Sequence, residues 1–225
     1  MSDYIKKLVE GGENSKLDFK FEISDSRKIA KTLSAFSNTS GGKLLIGVKD
    51  NGKIAGIQSD EDFYMVQAAA DLHTKPRISF TSKQHEVDNK IVLEIDIKKH
   101  DNIPVFAQNK DNKWLAYIRI SDENKLVNKI QLNVWERISD STGILFRYSE
   151  KEKILFNFLT ENNSITFSKY CKIANLPRFE AEQKLTDLIL LKIININYTD
   201  DKIYYSFNEN LDLMNYKFGE ILKQF

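Results

Sequence analysis

One cysteine, three prolines and nine glycines are all that 225 residues contain of those types. A single thiol, Cys171, excludes a disulfide framework and a zinc site built on cysteine. So little proline and glycine argues against a long low-complexity or disordered stretch. No run approaches the roughly 20 apolar residues that cross a bilayer. The opening MSDYIKKLVEGG has neither the apolar core nor the small-residue cleavage site of a secretory leader, so a cytoplasmic location is expected. An excess of basic charge is also missing. Residues 1–145 carry 22 Lys and Arg against 21 Asp and Glu, and residues 146–225 carry 11 against 11. That excludes a strong, evenly spread phosphate binder, and any contact with nucleic acid has to come from a local basic patch. His73, His85 and His100 share no ligand spacing, and no segment repeats.

What is present reads as two folded parts. Leu17, Phe19 and Phe21 alternate with Asp18, Lys20 and Glu22, the period of a half-buried strand with its charges on the wet side. Ser24, Asp25 and Ser26 offer N-cap oxygens to a helix with Ile29, Leu33 and Phe36 on its apolar face. Asn38-Thr39-Ser40-Gly41-Gly42 ends that helix. A strand over Lys43–Lys49, the turn Asp50-Asn51-Gly52 and a returning strand over Lys53–Ile57 form a predicted hairpin. A second helix spans Asp60–Leu72, and strands follow at Arg77–Ser82, Ile91–Lys98 and Trp114–Ile120. Lys129–Arg137 closes this part as a short helix. The pattern predicts an α+β, or mixed α/β, layer fold.

From Glu150 the pattern changes. Helices are expected around Ile154–Leu159, over Ser168–Ile173 and over Glu180–Leu191, with Asn175-Leu176-Pro177 as the turn before the third. Ile193–Tyr198 and Ile203–Phe207 then make a two-stranded wing. This is the order of a winged helix-turn-helix. The predicted boundaries are residues 1–145 for the first domain, 146–210 for the winged helix and 211–225 for a terminal amphipathic helix.

The run GENSKLDFKFE followed by IAKTLSAFSNTSGGKLLIGVKDNGKIAGI resembles the Schlafen AlbA-like domain. Its elements stand in the family's order: an acid, an acid-Phe-Lys strand, a helix ending Ala-Phe-x-Asn-x-x-Gly-Gly, and a strand ending Ile-Gly-Val-x-Asp. Asn102-Ile103-Pro104 and Tyr117-Ile118-Arg119-Ile120 resemble its later segments, so the likeness covers roughly residues 10–140. The resemblance implies binding to DNA or RNA. Ahead of a winged helix it implies a DNA-binding transcriptional regulator, and two-fold sites imply a homodimer. It also leaves open a second function, that of a metal-dependent endoribonuclease with three acids.

Those acids fall on Glu13, Asp18 and Asp50, where Mg²⁺ or Mn²⁺ would be held. The second is usually Glu; here it is Asp, shorter by one methylene. Lys20, on the same strand face as Asp18, would stabilise a phosphate in the transition state. Each acid also has a plain structural role: Glu13 in a Gly-rich turn, Asp18 on a strand, Asp50 opening a turn. Proteins of the family are sometimes labelled ATP-binding, but the loop of residues 37–42 leaves a helix C-terminus, where the dipole repels phosphate, and no Gly-Lys-Ser/Thr follows. The candidate nucleic-acid contacts in the first part are Arg27, Lys28, Lys31, Lys43, Lys49 and Arg119, with Tyr117 to stack on a base. In the second they are Arg178, Gln183 and Lys184 on the third helix and Lys202 on the wing. That helix also carries Glu180, Glu182 and Asp187, whose carboxylates repel phosphate, and a winged helix used for dimerisation or partner binding is the rival reading.

Overall fold

The structure is a computed structural model that describes residues 2–139 and 146–209. The predicted terminal helix over residues 211–225 lies outside the described residues. The chain divides into two units, Met1–Val127 and Asn128–Phe225.

The first unit runs α1 (Ser2–Glu10), β1 (Leu17–Lys20), α2 (Ser26–Ser37), β2 (Gly42–Ile46), α3 (Glu61–Leu72), β3 (Thr74–Lys75), β4 (Phe80–Val87), β5 (Lys90–Ile97), β6 (Phe106–Gln108), β7 (Trp114–Ile120) and β8 (Glu123–Leu126). Two four-stranded sheets result, ordered β1-β2-β5-β4 and β3-β6-β7-β8. Only β1 and β2 pair in parallel, with α2 as their crossover; the other pairs are antiparallel. These are the mixed α and β layers that the alternating pattern implies.

Helix α2 positions everything that follows. Asp25 caps it, its carboxylate accepting the Arg27 N–H at 3.0 Å. From Ile29 to Ser37 all but Lys31 are buried, because the helix packs on α3 and on strands of both sheets. Ile29, Leu33 and Phe36 share one core with Leu44, Ile46, Ile95 and Val105. Gly41, at φ +74°, stops the helix; a Cβ there would stand 2.6 Å from the Ile97 carbonyl oxygen, and one on Gly42 would stand 2.4 Å from the Phe36 ring. The loop is a helix stop packed against β5.

Asn38 then fastens the helix end. Its Nδ2 donates to the Val105 and Tyr117 carbonyls, both at 2.9 Å, and to Ser34 Oγ at 3.3 Å, while its Oδ1 accepts the Val105 N–H at 2.8 Å. A second core covers the other face of the first sheet, where Ile5 of α1 meets Leu17, Phe19, Leu45 and Val92. Strand β1 is therefore covered on both faces, so Asp18, expected on a wet face, is 3% exposed.

Three further expectations change. Lys53–Ile57 does not return as a strand: one bridge, Val48 to Ile54, forms before Ile57 leaves to bond the Ile91 carbonyl. The strand expected over Arg77–Ser82 is β4, shifted to Phe80–Val87; it is a sheet edge whose exposed polar residues hide the period. And the helix meant to close the first part, α4 (Lys129–Ser139), packs on a helix of the second unit.

That unit continues with α5 (Glu150–Asn162), α6 (Phe167–Ile173), α7 (Arg178–Leu190), β9 (Ile194–Tyr198) and β10 (Ile203–Phe207). Ser149 and Glu152 form a capping box at α5, and Thr166 caps α6. Leu155, Leu159, Tyr170, Leu185 and Leu188 pack with Ile194 and Tyr205 of the antiparallel β9–β10 pair in a separate core.

Candidate nucleic-acid interface

Glu13, Asp18, Lys20 and Asp50 line one open cleft of about 460 Å³. Arg119, Lys31, Asp122, Glu123 and Asn124 complete it; the last three follow β7 in sequence, and no motif marks them. Glu13 Oε1 accepts the Phe19 N–H at 2.7 Å. The Asp18 carboxylate faces Arg119 Nη2 at 3.2 Å, Lys20 Nζ at 3.1 Å and Thr32 Oγ1 at 3.4 Å. Arg119 is itself buried, so it cannot present its charge to a nucleic acid as the sequence reading expects. Its Nε donates to the Asn14 carbonyl, its Nη2 also to that of Leu17 and its Nη1 to Asn124 Oδ1, while its guanidinium lies 5.3 Å from the Phe36 ring centroid. Arg119 thus fixes the position of Asp18.

Burial raises the Glu13 carboxyl above the ordinary glutamate value, and the neighbouring Asp18 carboxyl adds to the rise; the Phe19 N–H and the Lys20 charge oppose it. The sign follows. A carboxyl raised in the fold contributes stability below its unfolded value and loses it as pH climbs through the raised value. Ionised Glu13 is thus held against its preference at neutral pH. Glu13→Gln is expected to melt at a higher temperature than the parent chain at pH 7. The two curves should converge in acid, as thermal melts across pH would record.

A second hollow, of about 130 Å³, is lined by Arg27, Lys28 and Lys31 of α2, by Tyr117 of β7, and by Gln108, Asn109 and Lys110. The structure thus brings together four of the residues expected to bind nucleic acid, Arg27, Lys28, Lys31 and Tyr117, and adds Lys110 and the Asn109 carboxamide. Arg27 and Lys28 make no side-chain ion pair or hydrogen bond among the described residues. Lys31 Nζ lies 5.2 Å from the Tyr117 ring centroid.

The remaining cations lie elsewhere. Lys43 is on the sheet face covered by α1, paired with Glu94, which also meets His85 Nε2 at 2.6 Å and the Tyr4 hydroxyl at 3.1 Å. Burial works to raise the Glu94 carboxyl, but these partners outweigh it and hold it below the usual range. Lys49 lies 5.0 Å over the Phe21 ring.

In the second unit Lys184 is spent on the buried Glu152 carboxylate at 2.6 Å. Arg178 is exposed, 4.8 Å over the Phe167 ring, and Lys202 lies 6.0 Å over that of Tyr204. Gln183 is exposed beside the groove between α4 and α7. The helix expected to enter a major groove, α7, is partly covered: α4 packs along it, Arg137 pairs with Asp187, and Thr186 is 1% exposed.

The model of the family described as Schlafen, AlbA_2 matches residues 13–128. The chain belongs to this family. The AlbA_2 match ends within one residue of the division after Val127. Membership ties the chain to a nucleic-acid-related function. Among solved structures, the DIP2311 protein from Corynebacterium diphtheriae matches with 20% identity and a TM-score of 0.42, over 58% of this chain and 25% of its own. The chain thus spans about a quarter of that protein's length. The N-terminal domain of a RecG-related protein from Nitrosomonas europaea matches with 18% identity and a TM-score of 0.40, over 57% of this chain and 94% of its own. No curated protein matches. Among the described residues no helix is long and apolar enough to cross a membrane.

Within the AlbA_2 domain, the divalent ion implied by the three acids does not fit the donors present. Among the described residues no group of three or more His, Cys, Asp or Glu side chains could hold a metal ion. Asp18 is already neutralised by a buried guanidinium and an ammonium, so an added cation would meet two like charges at that carboxylate. Asp50, exposed at the start of its turn, lines the cleft without an ion-pair partner among the described residues.

Proposed function

We propose that this chain is a DNA-binding regulator whose AlbA_2 domain grips the sugar-phosphate backbone and whose second unit is a winged helix. One observation carries the reading: Arg27 and Lys28, without side-chain partners among the described residues, stand with Lys31 and Lys110 around a hollow in a chain of nearly zero net charge. Basic side chains left unpaired on one surface are what a phosphate backbone needs, and a few suffice for salt-sensitive binding of modest affinity. From α5 onward, the helix, helix, helix, hairpin order of the second unit supports the winged helix. Of its expected contacts, Arg178, Gln183 and Lys202 are exposed and without an ion pair among the described residues, while Lys184 is paired within the unit.

The test is binding to labelled DNA across a salt series. The intact chain is expected to lose affinity steeply as salt rises. Arg27→Glu with Lys28→Glu should cost at least tenfold at low salt and flatten the logarithmic salt slope by roughly 1 to 2. Unchanged affinity in that variant, with its fold intact by circular dichroism, would remove the hollow from the interface.

A further inference from the structure

The basic hollow has walls that suit more than a phosphate. Tyr117 and Ala107 are among its lining residues, and Lys31 and Arg27 bring aliphatic stems as well as charges. Its volume of about 130 Å³ has room for one planar heterocycle and not for a base pair. Asp25, on the wall, already caps α2 and lies 3.5 Å from Lys110 Nζ, so a bare phosphate inside would meet a carboxylate. The cations suit a phosphate outside the hollow, with something uncharged and flat within it.

The Asn109 carboxamide gives the hollow a polarity. Gln108 pairs in register with Trp114, so its side chain lies on the sheet face opposite Ala107 and Tyr117, where its Oε1 meets His73 Nδ1 at 3.2 Å. Asn109 Oδ1 accepts the N–H groups of Asp111 at 3.0 Å and Lys113 at 2.9 Å. Its oxygen is thus occupied, and its amide N–H groups have no acceptor among the described residues. The Tyr117 hydroxyl likewise makes no hydrogen bond among them. These donors match the ring-nitrogen and carbonyl acceptors of an unpaired nucleobase, which base pairing would otherwise occupy. Lys31 covers the ring by a weak cation–π contact that a stacking base can replace, freeing the ammonium for the adjoining phosphate.

We propose that this hollow is a pocket for a single unpaired nucleobase, stacked on Tyr117 and held by the Asn109 amide, so that the chain selects single-stranded over duplex nucleic acid. This rests on the backbone-gripping reading above, and goes beyond it by naming what is gripped. It is tested by fluorescence anisotropy with an oligothymidylate, an abasic deoxyribose-phosphate strand of equal length, and a duplex, all at one low salt concentration. The intact chain should bind the oligothymidylate about tenfold tighter than either other ligand. Tyr117→Ala and Asn109→Ala should each erase most of that difference. Tyr117→Phe keeps the ring and should retain most of the preference, which separates a lost stack from a lost fold. Equal binding of all three ligands, still weakened by Arg27→Glu with Lys28→Glu, would overturn the base pocket and leave the backbone grip standing. Absence of salt-sensitive binding to any of them would remove both.

Discussion

Replacing Arg119 with alanine is expected to destabilise the AlbA_2 domain by about 3–5 kcal/mol, the cost of removing one partner from a buried ion pair. The cause is what stays behind. Asp18, 3% exposed, would keep a carboxylate with only Lys20 to balance it, and the carbonyls of Asn14 and Leu17 would each lose a donor. For a unit of this size, a loss of that order lowers the melting midpoint by about 10–20 °C. Arg119→Leu combined with Asp18→Leu should recover much of it, since no charge is then left buried. Melts of the single and double variants give the answer. A double variant no better than the single would assign the cost to lost packing on Phe36.

Asn38→Asp is expected to cost about 2–4 kcal/mol, although the side chain keeps its shape. The asparagine Nδ2 bonds two carbonyl oxygens and a hydroxyl; an aspartate oxygen in its place faces the Val105 and Tyr117 carbonyls with no proton to share. The Val105 N–H bond to Oδ1 is retained, so the loss isolates the donor side. Chemical denaturation of the variant at pH 7 measures it, and a midpoint within error of the parent would place Asn38 outside the supports of this fold. The same substitution should also loosen β7 and with it Tyr117.

These two residues show how far the sequence was legible. The stop formed by Asn38, Gly41 and Gly42 could be read because its signals are local: a helix period, then glycines. Strand β7 was readable for the same reason, a local run rich in β-branched and aromatic residues from Trp114 to Ile120. The burial of Asp18 was not readable. It looked like the polar side of an amphipathic strand, and its partner lies 101 residues away. Helix α1 was missed because Ile5, Leu8 and Val9 sit among charges in a segment too short to stand alone, and only the sheet beneath it makes the helix worth forming. The site divided similarly. Glu13, Asp18, Lys20 and Asp50 share the cleft that the motif implied, yet the ion pairs at Asp18 are tertiary, and they turn a presumed ligand set into a braced carboxylate. Arg27, Lys28 and Lys31 were visible on one helix. Asn109 and Lys110 carry no signal in the sequence, since nothing in their spacing says that they line a hollow with α2.

The division after Val127 decides where the chain can be cut. The change of pattern near residue 145 looks like a natural place to end a fragment, but Ile130 belongs to the second core and α4 packs on α7. A piece ending at 145 carries an apolar helix without its partner and invites aggregation, while the complementary piece lacks part of its own interior. Cleaving between 127 and 128 leaves each half with its own core residues, so limited dissection of this protein should begin at the end of strand β8.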